Sequence, residues 1–169
     1  MPEAHPKYKL TTTLGEITVE LDPEQAPIGA KNFAAYADAG KYDGTIFHRV
    51  IDGFMIQGGA FEPDMTQRRG DKPIKNEWKN DLNNERGALA WARLGGDPDS
   101  ATNQFFINVN NNTFLDRAQP DGAGYAVFGR VVEGMDVVDA IKNVPTGRKS
   151  GHDDVPRDPV IIQKVEKIA

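Results

Sequence analysis

The sequence predicts a single, mainly β domain of about eight short strands with two separated helices. Period-two alternation of apolar residues recurs in short runs along most of the chain, and helical spacing appears in only two places. No internal repeat, low-complexity tract or interior boundary divides residues 1–169. Alternation by itself leaves a closed barrel and a two-sheet sandwich open, with helices covering the ends of either.

The elements follow in order. Tyr8, Leu10 and Thr12, a turn at Leu14 and Gly15, then Ile17, Val19 and Leu21 read as a β-hairpin. Ala26, Ala30, Phe33, Ala34 and Ala37 recur at helical spacing, and Pro27 near the start and Gly40 past the end bound a helix over Pro27–Ala39. Strands are expected over Thr45–Ile51, Phe54–Gly58, Ala88–Ala92, Gln104–Val109, Tyr125–Val132 and Val160–Lys167. Val137, Val138, Ile141 and Val144 suggest the second helix, and the polar, glycine-containing stretch from Ala60 to Arg86 reads as a long ordered excursion.

Composition removes several functions. With no cysteine, disulfides, thiolate chemistry and cysteine-held zinc are excluded, and His5, His48 and His152 show no ligand spacing, so neither metal nor cofactor is expected. A net charge of -5, with Arg68 and Arg69 the only adjacent arginines and no longer basic run, argues against nucleic acid or an anionic membrane as partner. The first residues are polar and no apolar stretch reaches the ~18 residues of a membrane span. A cytoplasmic monomer is the expectation.

Polar groups set among apolar ones mark the candidate chemistry. Strict alternation over Thr45–Ile51 puts Phe47, Arg49 and Ile51 on one face and Ile46, His48 and Val50 on the other, so each largely apolar face holds one ionisable group. Arg49 must either pair with a carboxylate or look across an apolar surface into a groove, since an unpaired buried guanidinium is very costly. His48 reads as a hydrogen-bonded structural histidine. Met55 with Gln57, and Gln104 with Phe106, each place one amide beside one large apolar side chain on a strand face. Three such strands point to an apolar groove with a few aimed donors. His152, Asp153 and Asp154 read as a solvated loop, Asn111–Thr113 as a chance glycosylation pattern, and Gly122 with Gly124 as no nucleotide loop, since a strand follows them.

The run FHRVIDGFMIQGG from Phe47 to Gly59 resembles the signature of the cyclophilins, a family of peptidyl-prolyl isomerases. Asn103–Ile107 and Tyr125–Gly129 follow in the family's order, and the likeness extends from about Lys9 to Val165. It implies an eight-stranded antiparallel β-barrel with a helix at each end. It further implies Arg49 as the main catalytic residue and a prolyl pocket of Phe54, Met55, Phe106 and Leu115. Gln57 would bond the substrate backbone, Gln104 would support the site, and Ala92 and Arg93 would hold the residue before proline mainly through backbone. Phe114 stands where eukaryotic members have tryptophan and Tyr125 where they have histidine, both as in bacterial members, and the missing indole donor implies weak cyclosporin A binding. Trp91 should face into the barrel, away from the groove.

The partners so implied are proline-containing polypeptides. A binding module that holds such segments without turnover is the alternative, and it could dispense with Arg49. A small-ligand carrier of similar strand content would need a cavity inside the barrel.

Overall fold

A computed structural model describes residues 5–169. The hairpin forms as its alternation requires, with β1 at Lys7–Thr12 and β2 at Gly15–Leu21. Gly15 turns it at φ 138°, where a Cβ would also meet Val137 at 2.7 Å. Helix α1, Pro27–Asp38, starts on Pro27. Ala26 has no side chain to cap it, and the carboxylate of Glu77 instead accepts from the backbone N–H groups of Ile28 and Gly29 at 3.3 and 2.6 Å. At its other end the N–H groups of Gly40 and Lys41 bond the carbonyls of Ala37 and Tyr36, the Schellman closure that Gly40 permits at φ 70°.

Strands β3 (Thr45–Ile51), β4 (Met55–Phe61), β5 (Ala88–Trp91), β6 (Phe105–Asn108) and β7 (Val127–Glu133) precede helix α2 (Met135–Lys142), and β10 (Ile161–Lys167) ends the series. They close in the order β1-β10-β3-β4-β6-β5-β7-β2, with β2 paired back to β1 and every pairing antiparallel. Closure settles what alternation left open: the fold is a mainly β, eight-stranded barrel with two helices. Helix α1 covers the end where β3 begins, and α2 the end where β3 turns into β4, tied there by Lys142 to Asp52 at 3.2 Å. The interior is filled by Leu10, Ile17, Phe47, Ile56, Leu89, Trp91, Phe105 and Phe128. Phe33 of α1 plugs it, with ring centroids 5.2–5.8 Å from Tyr8, Tyr42, Phe105 and Phe128. The ligand-carrier reading needed open space there. No helix among the described residues is long and apolar enough to cross a membrane.

Two expectations are corrected. The stretch around His152 is no loop: β8 (Thr146–Lys149) and β9 (His152–Pro156) form a second, two-stranded sheet. Its two-residue turn, Ser150 and Gly151, has φ 49° and 81°, the positive values that tight hairpins demand. Strict alternation also fails in β3. Phe47 pairs with Gly58 and Arg49 with Gln57, so His48 is an extra residue opposite a single step of β4. That bulge leaves Phe47 and Val50 both in the interior and turns Arg49 outward.

Candidate active site

The outward face of β4, β6, β5 and β7 is itself apolar, carrying Met55, Ala88, Ala90, Phe106, Val127 and, from the 3-10 turn Thr113–Asp116, Leu115. This second cluster is what strand alternation produces once the other set of side chains has filled the barrel. Above it lies a groove of about 320 Å³, lined by Arg49, Phe54, Met55, Gln57, Ala92, Arg93, Phe106, Phe114, Leu115, Gln119 and Tyr125. Phe106 and Met55 form the floor. Phe54 stacks on Phe114 at 5.9 Å on one side, and Tyr125 stands edge-on to Phe106 at 6.0 Å on the other. Phe114 is 53% exposed, a large apolar side chain left uncovered at the rim.

The polar groups converge from β3, β4 and the residue just before β6. Arg49 is exposed and takes part in no ion pair among the described residues; its Nη1 reaches Gln57 Oε1 at 3.4 Å. Gln57 Nε2 donates to Gln104 Oε1 at 2.9 Å, so Gln104 stands behind Gln57 and orients it. Of the two outcomes open to Arg49, carboxylate pairing or a groove, the structure chooses the groove.

The other candidate site residues line this groove too, apart from Gln104 behind Gln57, and the Arg93 side chain is committed elsewhere. Only 2% exposed, it points away into a bidentate pair with Asp121 and lies under the Tyr125 ring, 4.5 Å from its centroid. The guanidinium holds the Asp121 carboxyl below the usual carboxylate range. Trp91, as expected, faces inward and stacks on Phe128 at 4.4 Å.

Two groups escaped sequence reasoning. Gln119 lines the groove while its Nε2 donates to the carbonyls of Phe114 and Arg117, both at 2.9 Å, and nothing in its polar loop announces this. Beneath the pocket, Asn84, Asn108 and Asn112 form a buried network. Asn112 Nδ2 donates to Phe54 O at 2.7 Å and Asn108 Oδ1 at 2.8 Å; Asn108 Nδ2 donates to Asn84 Oδ1 at 3.0 Å and Ala88 O at 3.1 Å. Asn84 Nδ2 in turn donates to Asp116 Oδ1 and Tyr125 O at 2.9 and 3.1 Å. The backbone of both groove walls is thereby fixed to one set of amides.

His48 is structural but not as expected. Its Nδ1 is buried without a hydrogen-bond partner among the described residues, and the ring packs on Phe61 at 4.3 Å and faces His152 at 6.4 Å. Burial, aided by repulsion from His152 and Arg49, pushes its pKa down to about 4. Between its ordinary value, about 6.5, and that lowered one the unfolded chain holds a proton the folded chain refuses, so stability falls on acidification. The expected contribution is a loss of about 2 kcal/mol between pH 7 and pH 5. An NMR titration checks this: the His48 ring should stay neutral at pH 5, and titration near 6.5 would contradict it.

Compared with known proteins, residues 7–167 match the family model described as cyclophilin type peptidyl-prolyl cis-trans isomerase/CLD. A peptidyl-prolyl cis-trans isomerase of Streptomyces antibioticus is 55% identical over 160 residues, 94% of this chain and 96% of that one. Peptidyl-prolyl cis-trans isomerase B of Escherichia coli K12 is 54% identical over 156 residues, 91% of this chain and 94% of that one. Among solved structures, a cyclophilin type isomerase of Cryptosporidium parvum superposes with a TM-score of 0.84 at 29% identity, covering 98% of each chain. A second crystal structure of that protein, obtained in the presence of the dipeptide Ala-Pro, gives 0.82 at 28% identity, over 96% of this chain and 99% of that one.

Proposed function

The chain belongs to the cyclophilin-type peptidyl-prolyl cis-trans isomerase family and is such an isomerase; from that premise we propose that it turns X-Pro bonds in the groove over β4, β6 and β5, with Arg49 as the principal catalytic residue. The observation that carries this reading is an exposed guanidinium, free of any carboxylate among the described residues, at the edge of an apolar pocket.

The chemistry asked of the site is modest. Amide resonance makes rotation slow, with a barrier of about 18–20 kcal/mol. In the twisted transition state the resonance is lost, and the prolyl nitrogen becomes pyramidal and regains a lone pair. A donor above the ring bonds that nitrogen only then, which is preferential binding of the transition state. A thousandfold acceleration needs about 4 kcal/mol. One charge-assisted hydrogen bond supplies roughly 1.5–3 kcal/mol, and the rest comes from gripping one side of the amide while the other turns.

The groove's parts fit that division of labour. Phe54, Met55, Phe106 and Leu115 hold the proline ring, and Phe114 and Tyr125 wall it. Gln57, kept in place by Gln104, has one Nε2 proton left for a substrate carbonyl. The backbone of Ala92 and Arg93 holds the preceding residue. No proton transfer or covalent intermediate enters the step. A non-catalytic binder could keep this pocket, but it would have no use for Arg49.

A titration of ¹⁵N-labelled protein tests where substrate binds. An Ala-Pro peptide is expected to shift Arg49, Gln57, Phe106, Leu115 and Tyr125. Shifts confined to the polar hollow between Glu20, Asp81 and Arg130 would contradict the assignment. Cyclosporin A should bind the same groove only weakly, because Phe114 has no indole N–H to donate; tight stoichiometric binding would reject that part. The groove is complete within one copy, which supports a monomer acting as one domain, and cytoplasmic residence belongs to the same proposal.

A further inference from the structure

We propose that Arg93 is a positioning residue for substrate binding: locked by Asp121, its guanidinium supports the Tyr125 ring that forms one wall of the prolyl groove. The inference deepens the functional reading above and rests on it. Arg93 leaves β5 just beyond Ala92, and its side chain and that of Asp121 are only 2% and 10% exposed. Nη1 and Nη2 meet the two carboxylate oxygens at 2.5 and 3.1 Å, and Nη2 also donates to Ala123 O at 2.9 Å. The backbone N–H groups of Gly96 and Ala123 donate to the same carboxylate at 3.1 and 3.3 Å. With both oxygens already occupied, Asp121 has little left to offer a ligand, and the buried guanidinium is turned away from one.

What the clamp does touch is the groove wall. The guanidinium carbon lies 4.5 Å from the centroid of Tyr125, whose ring stands edge-on to the floor residue Phe106. Beside the groove lies a second hollow of about 480 Å³, bordered by Gly95, Gly96, Pro120 and Asp121, and Arg93, Gln119 and Tyr125 border both. Tyr125 and the loop of residues 117–124 are therefore a partition between two spaces; backbone bonds hold its strand end, Trp91 N–H to Ala126 O among them, and the clamp ties its loop to the segment that leaves β5. A buried ion pair is weak evidence for stability in itself; here it fixes the position of a ring. Arg49, on β3, makes no hydrogen bond to either partner among the described residues. Loosening the partition should therefore weaken binding and spare the chemical step.

The test separates KM from kcat for an X-Pro peptide and measures the peptide's Kd alongside. Asp121→Asn is expected to raise KM and Kd about fivefold while kcat stays within about twofold, and Asp121→Glu should recover part of the loss. Arg93→Lys keeps a buried cation but cannot stack flat under the ring or bind both oxygens, so it should reproduce the same split even if Asp121→Asn does not fold. Unchanged KM and Kd in the folded variants, or a kcat that falls in step with the rise in KM, would overturn the proposal. Affinity is read apart from turnover. A wild type that binds the peptide without isomerising it would thus refute the functional reading alone, whereas unaltered affinity in the variants refutes the clamp alone.

Discussion

Asn108→Ala should lower stability by roughly 3 kcal/mol and raise KM for an X-Pro peptide, although Asn108 touches no groove surface. The reason is what it leaves behind. Asn108 is fully buried, and its amide satisfies Asn84 Oδ1, Ala88 O and Asn112 Nδ2. Truncation strands these groups away from water, and each buried polar group left unpaired costs about 1–3 kcal/mol. Against a total stability of roughly 5–15 kcal/mol that is a large share. The functional consequence follows from the carbonyls of Phe54 and Tyr125, which hang from Asn112 and Asn84 on opposite walls. Urea unfolding and steady-state kinetics check both halves. A loss below about 1 kcal/mol would mean that water enters and replaces the amide.

Arg49→Ala is expected to lower kcat by about 10- to 150-fold, the rate equivalent of one lost charge-assisted hydrogen bond. Because the prolyl nitrogen accepts only when twisted, kcat and kcat/KM should fall together and peptide affinity should change little. Arg49→Lys keeps the charge but loses the planar fork, so it should lie between wild type and alanine. Both variants should fold, since the side chain is exposed and makes only the 3.4 Å contact to Gln57. A variant that bound peptide poorly yet kept its kcat would make Arg49 a binding residue only.

The fold was legible where local pattern and tertiary structure agree. The β1–β2 hairpin and α1 lie close to where alternation, Pro27 and Gly40 put them, because each is specified by neighbours in sequence. Barrel closure was not legible from pattern, since it depends on β1 meeting both β2 and β10; the family resemblance supplied it. Alternation misassigned β3 because the bulge at His48 exists only in the pairing with β4. The β8–β9 hairpin has mostly polar or half-exposed strands, so hydrophobic periodicity passed over it even though Ser150-Gly151 is a turn signal.

The site divides in the same way. Arg49, Gln57 and Gln104 stood out as polar residues among apolar ones in strands, and the structure brings them into one relay. Asn84, Asn108 and Asn112 drew no site reading, Asn108 falling within an expected strand and Asn112 within a chance glycosylation pattern, because their burial depends on partners 24, 41 and 58 residues away. The family resemblance put Arg93 along the groove mainly through its backbone. Its partner Asp121, 28 residues on, turns its side chain the other way.

The central claim is that this chain itself rotates X-Pro bonds. The most direct measurement is the exchange rate between cis and trans signals of a short Ala-Pro peptide, read by NMR with and without catalytic amounts of the wild-type protein. Exchange should accelerate in proportion to the protein added, from the uncatalysed timescale of tens of seconds or longer. An exchange rate that stays at its uncatalysed value, with the peptide demonstrably bound in the groove, would contradict the account and make the groove a holding site.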